Sequence, residues 1–262
     1  MKKRSKVRVL NLLLILLVVF GAFSFYMGWQ SQKEYEDAAA ENIADYDYDN
    51  IQAMVTLPEP QPSEEPEFVP PYNTEEMLAL NSDFKGWLWI PDTDVNYPVV
   101  QAASNNKYLY RSFQGKYSSF GSLFLDQDSA YGFQNRVIHG HNMGNNRTEM
   151  FSCLVNYQDQ GWADEHLYAY FTEPDTMQDS QYQLFAVLNF NINDLDEFNY
   201  LQTDFETDED RQAFLDFLKG QSMCETDFYP KRDTLILSTC NRPKGGADNR
   251  LLICFGRIDA AT

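Results

Sequence analysis

From Gly86 onward the chain keeps returning to one pattern: a short apolar run, bounded on both sides by turn-forming residues. Eight such runs stand out, at 86–90, 97–101, 121–125, 136–139, 167–171, 182–192, 234–239 and 251–258. Many short strands with few long helices bury their apolar faces only by closing into a barrel or stacking as a sandwich, so a mainly β domain is expected. Helices punctuate it in three places. Asn73 with Glu76 reads as a capping box, and Met77, Leu80 and Phe84 follow at helical spacing. Thr207 with Asp210 opens a second helix, Phe214, Phe217 and Leu218 form its apolar stripe, and Gly220 ends it. A third helical stretch is expected over 148–157.

The chain before Asn73 is built differently. Lys2, Lys3, Arg4, Lys6 and Arg8 precede an apolar run over 9–27, broken only by Asn11, Gly21 and Ser24. At about 1.5 Å per residue this run matches a ~30 Å hydrocarbon core, and the basic flank favours a cytoplasmic N-terminus. The expected layout is a cytoplasmic tail (1–8), a transmembrane signal anchor (9–27), an extracellular stalk and Pro/Glu-rich linker (28–72) and a folded domain (73–262). The expected location is therefore the cell membrane, single-pass, with the folded domain outside. Pro58, Pro60, Pro62, Pro66, Pro70 and Pro71 alternate with Glu59, Glu64, Glu65 and Glu67, a composition that builds a spacer rather than a core. A net charge of −19 argues against a nucleic-acid partner, which would need a basic patch.

Three histidines are present, and two of them flank Gly140 in the run Val137-Ile138-His139-Gly140-His141-Asn142. An imidazole just past a strand end can titrate near neutral pH. A His-x-His pair also raises a metal site, but no third ligand lies near it in sequence, and neither a metal nor a cofactor is expected. Of the four cysteines, Cys153 and Cys254 sit inside apolar patterns, where a thiol packs as a small hydrophobe. Cys240 ends the apolar run Thr234-Leu235-Ile236-Leu237-Ser238-Thr239-Cys240 and faces a turn-forming segment containing Pro243, Gly245 and Gly246. A thiol there is accessible, and a neighbouring His⁺ or Arg favours the thiolate that nucleophilic chemistry needs. A hairpin between this strand and the next brings Arg250 back towards Cys240.

Together these residues resemble the sortase family. Its members carry a His at the end of a barrel strand, a Leu-x-Thr-Cys strand end and an Arg opening the final strand; here these are His141, Leu237-Ser238-Thr239-Cys240 and Arg250. The entry Asn81-Ser82-Asp83-Phe84-Lys85-Gly86-Trp87-Leu88-Trp89-Ile90-Pro91, then Tyr97-Pro98-Val99-Val100-Gln101 and Gly121-Ser122-Leu123-Phe124-Leu125-Asp126, resemble the start of the same domain. The leading helix and the one before the cysteine strand are similar to class B members. Two departures stand out: Asn241 and Arg242 replace the acidic residue that follows the cysteine in class B prototypes, and His139 stands where those enzymes often carry Tyr.

The resemblance implies a closed eight-stranded barrel and an acyl transfer. Cys240 would be the nucleophile, His141 the acid/base and Arg250 the electrostatic partner, with Leu109, Asn105, Ser238 and Thr239 contributing to substrate binding. The implied partners are secreted proteins with a C-terminal sorting motif and a cell-wall peptide amine, or a pilin lysine in a pilus-building enzyme. Two other outcomes stay open on the residues: a cell-wall cysteine hydrolase, in which water resolves the acyl-enzyme, and a binding module without chemistry.

Overall fold

The computed structural model describes residues 72–129, 134–144, 147–174, 179–240 and 248–258. The basic tail, the apolar run over 9–27 and the Pro/Glu-rich segment lie outside these residues. Among the described residues no helix is long and apolar enough to cross a membrane. The single-pass membrane placement expected from the sequence is corrected on that finding.

The eight strands are β1 (Phe84–Trp89), β2 (Asn96–Val100), β3 (Leu123–Leu125), β4 (Asn135–His139), β5 (Tyr168–Thr172), β6 (Asp179–Asn191), β7 (Thr234–Cys240) and β8 (Asn249–Arg257). They close into a barrel in the order β1-β2-β3-β4-β7-β8-β6-β5, so the sandwich alternative falls away. Two pairs are parallel, β2 with β3 and β4 with β7; the others are antiparallel. Closure leaves no open edge for another chain to extend.

Helix α1 (Thr74–Leu80) begins where the sequence expects it, with the Asn73 side chain accepting from the backbone N–H groups of Glu75 and Glu76 at 3.0 and 3.3 Å. Met77 is its buried residue, and Tyr72 just ahead of it packs edge-on against Phe84 and stacked on Trp87. The expected helix over 148–157 takes another form, a 3-10 helix over Ser152–Gln158 followed by α2 (Gln160–Glu165). The break falls at Asp159, whose extended backbone ends one helix while its side chain caps the next by accepting from Trp162 N–H at 3.0 Å.

Helix α3 (Asp208–Gly220) is capped by Thr207, whose hydroxyl oxygen accepts from Asp210 N–H at 3.0 Å. Its first turn is acidic and its last carries Lys219, which suits the helix dipole. Phe214, Leu215 and Leu218 are pressed onto one face of the barrel, in a cluster with Val137 of β4, Ile236 of β7, and Leu252 and Cys254 of β8. Val137 pairs with Ile236, and Ser238 with Leu252. Paired residues on neighbouring strands share a face, so the registers of β4, β7 and β8 extend this layer towards the strand ends.

Candidate active site

Following that face to its end leads out of the core. Beyond Val137 and Ile236, the aligned pair is His139 with Ser238. His141 and Cys240 each stand two residues past that pair, and across the antiparallel ladder Cys240 is paired with Arg250. His141, Cys240 and Arg250 are each partly exposed, whereas Ile236, Leu237 and Leu252 are fully buried.

Backbone bonds carry the β4–β7 alignment past the last strand residue. Gly140 N–H donates to Ser238 O at 3.2 Å, the Thr239 hydroxyl donates to Gly140 O at 2.8 Å, and Asn142 Nδ2 donates to Cys240 O at 3.0 Å. Gly140 is required here by contact. A Cβ on it would lie 2.5 Å from side-chain carbons of both Leu123 and Phe151, so no larger residue can separate the two histidines without displacing the core beneath them.

The two histidines diverge. His141 Nε2 donates to the carbonyl of Leu109 at 2.7 Å, and its backbone carbonyl accepts from Phe151 N–H at 3.0 Å. A carbonyl only accepts, so Nε2 carries the proton and proton exchange with a substrate falls to Nδ1. The exposed Tyr110 ring lies 5.8 Å from the His141 ring. His139 Nε2 instead meets Asp126 Oδ2 at 2.9 Å. Burial pushes the Asp126 carboxyl up. Its hydrogen bonds with His139, Asp128 N–H and Asn105, together with the nearby His139 charge, outweigh that and hold it below the usual value.

The remaining sequence candidates divide. Leu109 reaches the site through its carbonyl. Asn105 is engaged with Asp126 and Gln127, its Nδ2 donating to Asp126 Oδ2 at 2.8 Å and its Oδ1 accepting from Gln127 N–H at 2.7 Å. Ser238 and Thr239 are buried: the Ser238 hydroxyl lies 3.3 Å from the Tyr200 hydroxyl, and the Thr239 hydroxyl is spent on Gly140 O. These two hydroxyls brace the strand under Cys240 and do not open onto a groove.

Tyr200 is a site neighbour that sequence reading missed. It is 2% exposed, and its phenol is pushed up by burial. Opposing influences act on it from the Ser238 hydrogen bond and the Arg250 charge, which lower it, and from Asp126 and Cys240, which raise it. The other three thiols are buried. Desolvation pushes Cys153 up to about 11 and drives Cys254 further still, while Cys224 is also raised by burial. A buried thiol held neutral is a poor nucleophile.

No family model matches the chain. The curated sortase B of Listeria monocytogenes is 29% identical over 242 residues, covering 90% of this chain and 92% of that protein. Sortase B of Staphylococcus aureus is 26% identical over 257 residues, 97% of each. Among solved structures, a complex of the Staphylococcus aureus sortase B with substrate superposes with a TM-score of 0.64 at 26% identity, covering 89% of this chain and 99% of that one. A barrel of this topology, matched along nearly its whole length by such relatives, defines a sortase, an enzyme of the transpeptidase type. These likenesses support a sortase family, class B-like, for this chain.

Proposed function

We propose that Cys240, His141 and Arg250 carry out the transpeptidation, and that the acyl group passes through a thioester on Cys240. The Cys240 thiolate attacks a backbone carbonyl carbon in a sorting motif of a secreted protein. The carbonyl oxygen takes up the electron pair as an oxyanion, which Arg250 stabilises with its planar, always-charged fork of donors. As the oxyanion collapses, the carbon–nitrogen bond breaks and His141 hands its Nδ1 proton to the departing amine. A second amine, from a cell-wall peptide, then attacks the thioester carbon and gives its proton to His141, and the thiolate leaves. The observation that supports this most is the meeting of three strand ends: Cys240 is paired with Arg250, and His141 and Cys240 each follow the His139–Ser238 pair by two residues, with Asn142 Nδ2 donating to Cys240 O at 3.0 Å.

The catalytic unit is proposed to be residues 73–262, since every described helix and strand falls within it. In Asn105, Leu109, Ser238 and Thr239 the proposal keeps one substrate-wall residue, Leu109. The other three have their side chains engaged within the protein and act as supports.

The test is a library of peptides carrying candidate sorting motifs, incubated with the full chain with and without an added amine. The expected result is cleavage of a subset, a new amide when amine is present, and a mass increment on Cys240 that is lost in Cys240→Ala. Acyl transfer to water alone, unchanged by any amine, would make the protein a hydrolase. A label trapped on Cys153 or Cys254 would remove Cys240 from its role.

A further inference from the structure

Transfer by Cys240, His141 and Arg250 gives no role to the buried carboxylate of Asp126. Asp126 follows β3 and is 2% exposed. Its backbone N–H donates to Val137 O of β4 at 2.8 Å, and its own carbonyl accepts from Gln101 Nε2 at 2.8 Å, so it is fixed to two strands. Its carboxylate is fully used. Oδ1 accepts from Asp128 N–H at 3.0 Å, and Oδ2 takes both Asn105 Nδ2 at 2.8 Å and His139 Nε2 at 2.9 Å.

Those two partners are the two ends of a circuit that closes on His141. From Asn105 the chain runs four residues to Leu109, whose carbonyl accepts from His141 Nε2 at 2.7 Å. From His141 it runs back through Gly140 to His139, and so to Asp126 again. The circuit is also pinned at intermediate points. Gln127 N–H donates to Asn105 Oδ1 at 2.7 Å, and the Phe124 ring lies 5.2 Å from the His139 ring. At Leu109, Gly121 approaches so closely that a Cβ on it would stand 2.6 Å from the Leu109 oxygen. Gly121 also has φ +62, a backbone few other residues adopt, so the carbonyl that accepts the His141 hydrogen bond lies against a position that only glycine fills without strain.

We propose that Asp126, by gripping Asn105 and His139 together, is a positioning residue that sets where His141 stands for proton transfer, with His139 as the strut between them. This rests on His141 being the acid/base of the reaction. An acid must lie within about 2.6–3.2 Å of the atom it protonates, and a displacement near 1 Å can cost on the order of 10² in rate. Cutting the circuit at Asn105 removes a tie on the segment that bears the Leu109 acceptor, and cutting it at His139 removes a tie on the backbone two residues before His141. The loss belongs mainly in turnover, because the position of the imidazole is what these ties set, and any effect through the substrate-wall residue Leu109 is the smaller part.

The experiment uses the full chain and the internally quenched peptide that the library cleaves fastest, with active thiol counted by iodoacetamide titration and folding followed by thermal unfolding. His139→Ala and Asn105→Ala are each expected to lower kcat per active thiol by roughly 10- to 10²-fold with KM nearly unchanged. The double variant is expected to be no worse than the poorer single one, since both cut the same circuit. His139→Gln, which keeps a nitrogen donor for Asp126, is expected to recover most of the rate. Wild-type kcat in His139→Ala, losses that multiply in the double variant, or His139→Gln no better than His139→Ala would each overturn the proposal. Cys240→Ala and His141→Ala are run alongside. If they still cleave, the site itself is wrongly read; if they are dead while His139→Ala is unimpaired, only the circuit fails.

Discussion

The two ends of β4 and β7 are made from neighbouring residues of the same strands, yet they are built to opposite rules. At the starting end Asn135, Arg136 and Thr234 are buried, and their side chains bond to neighbouring strands and loops. Asn135 Nδ2 donates to the carbonyls of Tyr200 and Gln202 at 3.0 and 2.8 Å, and the Thr234 hydroxyl donates to Asn135 Oδ1 at 2.7 Å. Arg136, 2% exposed, pairs with Glu173, reaches the Tyr182 hydroxyl and lies over the Phe171 ring. At the far end, three pleats away, Cys240, His141 and Arg250 are half-open to solvent. One end buries its polar groups in holding strands together, and the other leaves Cys240, His141 and Arg250 partly exposed. A barrel can keep reactive groups at one rim because rigidity is supplied at the other, and chemistry and stability are then separable by mutation.

That separation can be broken by experiment. The largest expected effect is at the open rim. His141→Ala should lower kcat by roughly 10²–10⁴-fold, the usual worth of a positioned acid/base, while the thermal midpoint stays close to wild type. A comparable loss in His139→Ala would argue that the two histidines act as one group. At the closed end the expected pattern is reversed. Arg136→Ala leaves Glu173 buried without its counter-charge and should cost about 3–5 kcal/mol of stability, read from denaturant unfolding. Turnover per active thiol should be unchanged, and a drop in turnover at full folding would show that the two rims communicate.

Arg250 tests the open rim from its other side. Arg250→Ala should reduce turnover by roughly 10²–10³-fold if the guanidinium meets the oxyanion, with Arg250→Lys recovering only part because a point charge lacks the fork. A raised KM with intact turnover would instead make Arg250 a grip on the peptide. The smallest effect is in pH dependence. The Asp126 carboxyl is held below its ordinary value of 3.8. Its contribution to stability is therefore complete above that value and is lost as pH falls through the lower folded value. Thermal midpoints measured from pH 6 downward should fall more steeply below about pH 4 in the wild type than in Asp126→Asn. Parallel curves would remove Asp126 from the acid-sensitive groups.

The barrel was legible because its signals are local. Each strand announces itself by a short apolar run and its bounding turn residues, and the strand limits shift by only a few positions in the structure, as with 182–192 against Asp179–Asn191. The capping residues Asn73 and Thr207 were legible for the same reason, since a cap and its N–H partners lie within one turn. Asp159 escaped because the helix it ends and the helix it caps share a single polar residue, and apolar periodicity cannot see that break. Arg250 was legible from a hairpin count. The engagement of Ser238 and Thr239 was not, because a strand-end hydroxyl looks the same whether it meets a substrate or a neighbouring strand. Asp126 and Tyr200 lie 13 and 38 residues from their partners His139 and Ser238, joined only through sheet register and packing that no local pattern encodes.

The order in which the strands close has a consequence for the birth of the molecule. Strands β7 and β8 slot between β4 and β6, and of the eight strands they are the last to be synthesised. Until they arrive, β1 to β6 can form only an open sheet with β4 and β6 as two bare edges, the surfaces most prone to pair with other chains. One of the two strands that fill this gap, β7, bears Cys240. Pairing across about 100 residues of chain is slow to find, because so much loop entropy must be spent first. Cys240 therefore cannot pair with Arg250 before the last of the eight strands is in place, and a chain halted short of that point is an aggregation risk.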